Sequence, residues 1–416
     1  MQSTTGAATG SLKRSEVFHP AHEPLRHDPA LNLQQDRISG PLPFLNPTKA
    51  QFRYESRPDV RFKWSSRNNR KGRHAIVVGQ DQANASSNQL TTPHVTSSLN
   101  DILRGVWRML TYYPIWDISF DVAYVFTIGS VIWVINAFFV WLPLVQPDSE
   151  FRNEELYGGG ITAFVGATVF EFGSLLLMAE AVNENKSGCF GWALEQALSH
   201  KGGDDETGDR KLEPSKLQCT HHHLNKRNLV GKGIRHVSKE ESASEARSWV
   251  WWPSTTNLKT HYVYDLGFLA SFFQLCGATV FWISGLTALP GIYNRMSRPI
   301  TIIFYWTPQV IGGLGFIISG TLFMLETQSK WWKPAPRTLG WWIGVWNLIG
   351  GIGFTICPAF GYDTSSWSQY QACLSTFWGS WAFLIGSVVQ WYECLEKFPV
   401  EVGSTDKDSA IAEDGT

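Results

Sequence analysis

The sequence predicts an all-α membrane protein with six transmembrane helices, arranged as three tandem helical-hairpin repeats and accompanied by polar segments. Three observations predict it. Six apolar runs of about twenty residues are each long enough to cross a bilayer, although mean hydropathy over the whole chain is only −0.13. The chain of 416 residues holds 20 Trp, most of them near the ends of those runs, where indole rings settle at the headgroup level. A glycine–glycine–glutamate stripe also recurs. Gly379, Gly386 and Glu393 lie at intervals of seven, as do Gly166, Gly173 and Glu180; Gly313, Gly320 and Glu326 repeat the pattern one residue short. Seven residues return a helix to nearly the same face, and a hydroxyl (Ser174, Thr321, Ser387) follows the second glycine each time.

Taken in order, residues 1–100 are rich in Ser, Thr, Asn, Gln, Pro and Arg. Such a stretch buries too little apolar surface to offset its ordering entropy, and a disordered N-terminal region is expected. The first thirty residues hold no apolar core, so a cleavable secretory signal is not expected. Residues 101–182 form the first membrane hairpin, with spans near 121–144 and 159–182. A polar insert occupies 183–262. The second hairpin is 263–328, with spans near 264–289 and 299–325, and the third is 329–397, with spans near 339–357 and 373–395. An acidic tail, 398–416, is expected to be disordered. Each hairpin opens on an aromatic pair and a proline (Tyr112-Tyr113-Pro114, Trp251-Trp252-Pro253, Trp331-Trp332-Lys333-Pro334), and each odd span ends at a proline (Pro143, Pro290, Pro358).

Loop charge sets the expected orientation. The insert carries twelve Lys and Arg and the loop around Trp331 carries three, whereas the opposite loops carry one (Arg152), two (Arg295, Arg298) and none. Both termini and the insert are therefore expected on the cytoplasmic side. With a net charge of −1 and no basic stripe interleaved with aromatics, nucleic acid is not an expected partner. The expected partners are the lipid bilayer and a protein that binds the 183–262 insert.

The candidate sites are few. The glycines of the stripe let helix backbones approach closely; they either pack each hairpin or line a pathway around a central axis. Glu180, Glu326 and Glu393 fall at cytoplasmic helix ends, where the macrodipole disfavours a carboxylate. Interfacial solvation accounts for them, or else a ring of acids that binds a cation or pairs with Lys and Arg of the insert. Glu171 lies in mid-span, where a charge costs about 3 kcal/mol, and Asn136 of the preceding span is its expected hydrogen-bond partner. Gln274, Gln309, Asn347 and Gln390, each taken alone, read as packing. Cys357 and Cys373 flank one short loop, and a disulfide between them is open if their Cα atoms lie within about 7 Å. Cys219-Thr-His-His-His223 is a poor metal site because adjacent histidines do not readily share one tetrahedral ion. No catalytic residue, metal site or cofactor is expected, since phosphate-loop, nucleophile-elbow and zinc-helix motifs are missing from suitable contexts.

The paired spans, with Gly-Ser before an aliphatic run (Phe164 to Leu177, Trp378 to Val389), resemble the YrhK-like two-helix membrane domain. The arrangement of six spans is similar to fungal integral membrane proteins that string such hairpins together. The resemblance implies membrane hairpins and no catalytic residues. The expectation is a non-enzymatic membrane protein with a structural, scaffold or regulatory role. The alternative is a small-solute or ion transporter or channel that uses Glu171 and the helix-end acids.

Overall fold

The computed structural model describes residues 33–54, 57–73, 75–79, 96–184, 186–189 and 249–403. Six helices in it are long and apolar enough to cross a membrane, consistent with an integral multi-pass protein. They are α3 (Ile118–Val145), α4 (Gly160–Val182), α5 (Leu266–Thr287), α6 (Thr307–Glu326), α7 (Leu339–Gly361) and α8 (Ser366–Leu395). A shorter helix, α2 (Leu99–Thr111), precedes them and turns Leu99, Leu103, Trp107 and Leu110 outward. Local chemistry sets the starts: the Asp117 carboxylate accepts from the Ser119 amide at 2.9 Å, and Asp265 accepts from Phe268 at 2.8 Å. Of the three prolines expected to end spans, Pro290 lies just beyond α5, whereas Pro143 sits within α3 and Pro358 within α7. Single π turns, Glu155–Gly159 and Ile302–Trp306, lead into α4 and α6.

Each long helix packs on the next in sequence, and α8 closes on α3, so the six form a ring. All six send an aromatic side chain to its centre: Trp133, Phe170, Phe281, Phe316, Phe354 and Phe383, each buried. Their rings meet mostly edge to face, with centroids 4.9 Å apart for Trp133–Phe354 and 5.3 Å for Phe354–Phe383, the arrangement that aromatic quadrupoles favour.

One end of the ring is covered by a five-stranded sheet, which corrects the all-α expectation. Strands β1 (Leu33–Ser39), β2 (Lys49–Tyr54), β3 (Arg57–Ser65) and β4 (Ala75–Gly79) form an antiparallel meander. Strand β5 (Val400–Gly403), from beyond the last span, joins β4 in parallel, with Ile76 opposite Val400. The residues of β1–β4 and of β5 were expected to be disordered. They are ordered because their apolar residues alternate: Ala50, Phe52 and Trp64 are buried on one face, and Lys49 pairs with Ser65 and Ala50 with Trp64 across β2–β3. The 183–262 insert is described only at its ends, and Cys219–His223 lies outside the described residues.

Candidate functional site

Between β3 and β4 the chain makes one short helical turn, α1 (Ser66–Arg70), capped by the Ser65 hydroxyl. It leaves that turn through Gly72, whose φ of 61° lies in the left-handed region that a side chain resists. A Cβ there would also sit 2.7 Å from Ser187 Oγ. This turn lowers Arg67, Arg70, Lys71 and Arg73 into the sheet end of the helix ring, where all four are buried.

Each of the three stripe glutamates meets them. Arg67 donates through Nη2 to Glu393 Oε2 at 2.7 Å and through Nε to Oε1 at 3.2 Å, and Arg73 Nη1 adds a bond to Oε1 at 3.1 Å. Arg70 grips Glu326 in the same two-pronged way, at 2.7 and 3.0 Å, with the Ser66 hydroxyl donating at 2.8 Å. Such forked pairs are the strong, directional ones. Lys71 Nζ stands 3.7 Å from Glu180 Oε1, which accepts from the Ser119 hydroxyl at 2.9 Å. Burial works against the Arg70 charge, but the Glu326 carboxylate outweighs it and holds the guanidinium above its ordinary value. Burial also lowers the Lys71 ammonium, and there Glu180 does not restore it.

The helix starts make room for this lock at matching places. Ser119, Gly267 and Gly340 are the second residues of α3, α5 and α7. A Cβ on Gly267 would collide with Arg70 Nη1, and one on Gly340 would lie 2.6 Å from Arg67 Nε. The glutamates, expected to be solvated or paired with the insert, are instead at most 2% exposed and paired with residues 67–73. A carboxylate disfavoured at its own helix end is thereby satisfied by cations and by the start of a neighbouring helix.

Beneath the lock lies a small polar chamber of about 30 Å³, room for one or two waters. Lys71, Glu180, Ser130, Gln274, Asn347 and Gln390 face it. Lys71 Nζ, Arg70 Nε and Glu180 Oε2 are buried there without a hydrogen-bond partner among the described residues. Gln274 and Asn347 each fall eight residues after the first residue of their helix, which is why they arrive at one depth. Phe170 and Phe383 line the chamber's floor, while Trp133, Phe281 and Phe354 form the floor of a second cavity beyond them. The aromatic layer between is closed. The second cavity is a vestibule of about 820 Å³ at the ring's other end, reached by Asn136, Glu155, Tyr305 and Gln309.

The remaining expected residues fall elsewhere. Asn136 does not meet Glu171: its amide donates to Gly159 O at 2.6 Å and to Thr162 Oγ1 at 2.9 Å. The register explains the error, since Trp133 lies against Gly166 and Phe126 against Gly173, which places Asn136 beside Thr162, about 14 Å along α4 from Glu171. Glu171 does point away from the stripe's partner, toward α5, where Thr279 Oγ1 donates to it at 2.9 Å. It lies on the outer α4–α5 seam and lines neither the chamber nor the vestibule. The stripe glycines face neighbouring helices rather than the axis: Gly166 and Gly173 pack on α3, Gly379 and Gly386 on α7, and Gly313 and Gly320 also on α7, one hairpin along. Cys357 and Cys373 both line the vestibule as free thiols. Among the described residues no cluster of His, Cys, Asp or Glu could hold a metal ion.

Sequence reasoning missed the basic turn, because a run of cations ordinarily reads as a solvated face. Three recurrent helix-end acids with no cation in any span were the signal that such a run was needed. No family model, curated protein or solved structure matches this chain.

Proposed function

We propose that this chain is a non-enzymatic, multi-pass membrane protein that conducts or transports a small solute along the axis of its helix ring, held here in a closed conformation. One observation carries the reading: a vestibule and a polar chamber lie on opposite sides of one aromatic layer to which all six long helices contribute. A purely structural bundle has no need of a water-sized polar chamber with three buried polar atoms that lack a hydrogen bond among the described residues. In this reading Phe170, Phe383 and their neighbours are the inner closure, and the basic turn is the outer one. The loop charges favour a cytoplasmic lock and a vestibule on the opposite face. We take the helix pairs α3–α4, α5–α6 and α7–α8 to be three repeats of one hairpin, a view supported by the shared Gly-Gly-Glu stripe and by Ser119, Gly267 and Gly340 at equivalent helix starts.

Flux in proteoliposomes tests the path. A panel of ions and small metabolites is followed with wild type and with Phe170→Ala/Phe383→Ala, which opens the aromatic layer. The variant is expected to pass at least one solute faster than wild type. A stable double variant that passes nothing above protein-free liposomes would overturn the reading and return the chain to a scaffold role.

A further inference from the structure

The buried amides of the vestibule turn their hydrogen-bond acceptors toward the cavity, and that one-sidedness identifies what it can hold. Asn136 is 4% exposed and its amide nitrogen is spent on Gly159 O and Thr162 Oγ1. Gln309 is 7% exposed and its nitrogen is spent on Ser284 Oγ at 2.7 Å and Tyr305 O at 3.1 Å. A backbone carbonyl beside each nitrogen fixes the orientation of both amides. Their oxygens are left toward the cavity, and among the described residues nothing donates to them. Glu155, raised on the first π turn, faces the same space. Among the described residues its carboxylate has neither a hydrogen bond nor an ion pair.

The walls add ring faces. Tyr305, on the second π turn, stands 4.9 Å from Tyr293 and 4.5 Å from Trp306 between centroids, and Trp133 forms part of the floor. Aromatic faces within about 6 Å attract ammonium groups. Among the described residues the one basic side chain on the lining is Arg298, whose Nη2 already donates to Tyr362 O at 2.9 Å. A volume of about 820 Å³ suits a small organic molecule. An anion would be repelled by the Glu155 carboxylate. A neutral hydrocarbon would leave two buried amide oxygens unpaired, at about 1–3 kcal/mol each.

We infer that the vestibule is a binding site for a small organic ammonium ion, with the Glu155 carboxylate as counter-ion and the oxygens of Asn136 and Gln309 accepting its N–H groups. This deepens the transport reading by naming a solute class, and it rests on that reading only for passage of the bound ion across the aromatic layer. The test uses the full chain in lipid nanodiscs and n-butylammonium as the probe, with 1-butanol and butyrate matched in size and tetramethylammonium as a cation without N–H donors. Calorimetric titration of wild type is expected to show saturable n-butylammonium binding, weaker binding of tetramethylammonium and 1-butanol, and none for butyrate. Glu155→Gln is expected to weaken n-butylammonium about tenfold or more. Because no described group bonds to Glu155, an unchanged melting temperature should accompany that loss. Butyrate or 1-butanol binding as tight as n-butylammonium, no saturable ammonium binding, or an unaltered Glu155→Gln affinity would each overturn the inference. Binding in the nanodisc requires no open path. Ammonium binding without flux would therefore sink the transport reading alone, and flux of other solutes without ammonium binding would sink this inference alone.

Discussion

Glu393 has two guanidinium partners, from Arg67 and Arg73, and is 2% exposed. Removing one side of a buried ion pair leaves an uncompensated charge and costs about 3–5 kcal/mol. Glu393→Gln is expected to lower the melting temperature sharply, as read by intrinsic fluorescence in detergent. Replacing both members of a pair is milder, because no charge is stranded: Arg70→Met/Glu326→Met should melt above Arg70→Met alone. A double variant that melts below the single one would show that the forked pair contributes little. Lys49, on β2, is a different case, since burial and then the nearby Lys63 lower its ammonium to about 8. An unfolded lysine titrates near 10.4, so between about 8 and 10.4 the unfolded chain binds the extra proton. The penalty is full below about pH 8 and disappears as pH rises through about 10.4. Lys49→Met should accordingly melt above wild type at neutral pH, with the gap closing as the unfolded lysine titrates; a constant gap would contradict the assignment.

At the level of elements, helix crossings are set by glycines in backbone contact. A Cβ on Gly353 of α7 would lie 2.8 Å from both Gly379 Cα and Ser375 O of α8. Alanine is ordinarily about 1 kcal/mol better than glycine inside a helix. Gly353→Ala should nevertheless lower the melting temperature, because the α7–α8 axes must separate; a stabilised variant would mean the contact is loose. The long helices were legible because twenty apolar residues in a row admit few structures. The strands were not. Lys49-Ala-Gln-Phe-Arg-Tyr54 and Arg57-Pro-Asp-Val-Arg-Phe-Lys-Trp-Ser65 do alternate, but each is short, and its composition resembles that of a disordered stretch. Their order depends on a floor, the end of the helix ring, that no local window contains. The Asn136–Glu171 pairing failed for a related reason. Depth counted from span ends assumes that neighbouring spans end level, and the Trp133–Gly166 contact sets a different register.

For the whole molecule, orientation is the broadest expectation to check. Glycosylation acceptors engineered into the loop 148–155 are expected to be modified in a eukaryotic membrane, and acceptors placed next to β1 are not. The reverse pattern would put the lock on the other side. The ingredients of the candidate site were visible in the sequence only as separate residues. Glu180, Glu326, Glu393, Gln274, Gln309 and Asn347 stood out one by one, and it took the ring to bring Glu180, Gln274 and Asn347 to the chamber, Gln309 to the vestibule, and Glu326 and Glu393 to the basic turn. The lock also has a bearing on biosynthesis. Arg67 is 326 residues from Glu393 and Arg70 is 256 from Glu326, and β4 finds its partner β5 only after the last span. The basic turn leaves the ribosome long before any of these partners, so it is expected to wait without them while the six helices are made. Contacts of such long range form slowly, and closure of the sheet end is expected to be the final step of assembly. Until that step Glu326 and Glu393 are expected to lack the partners they have in the finished fold.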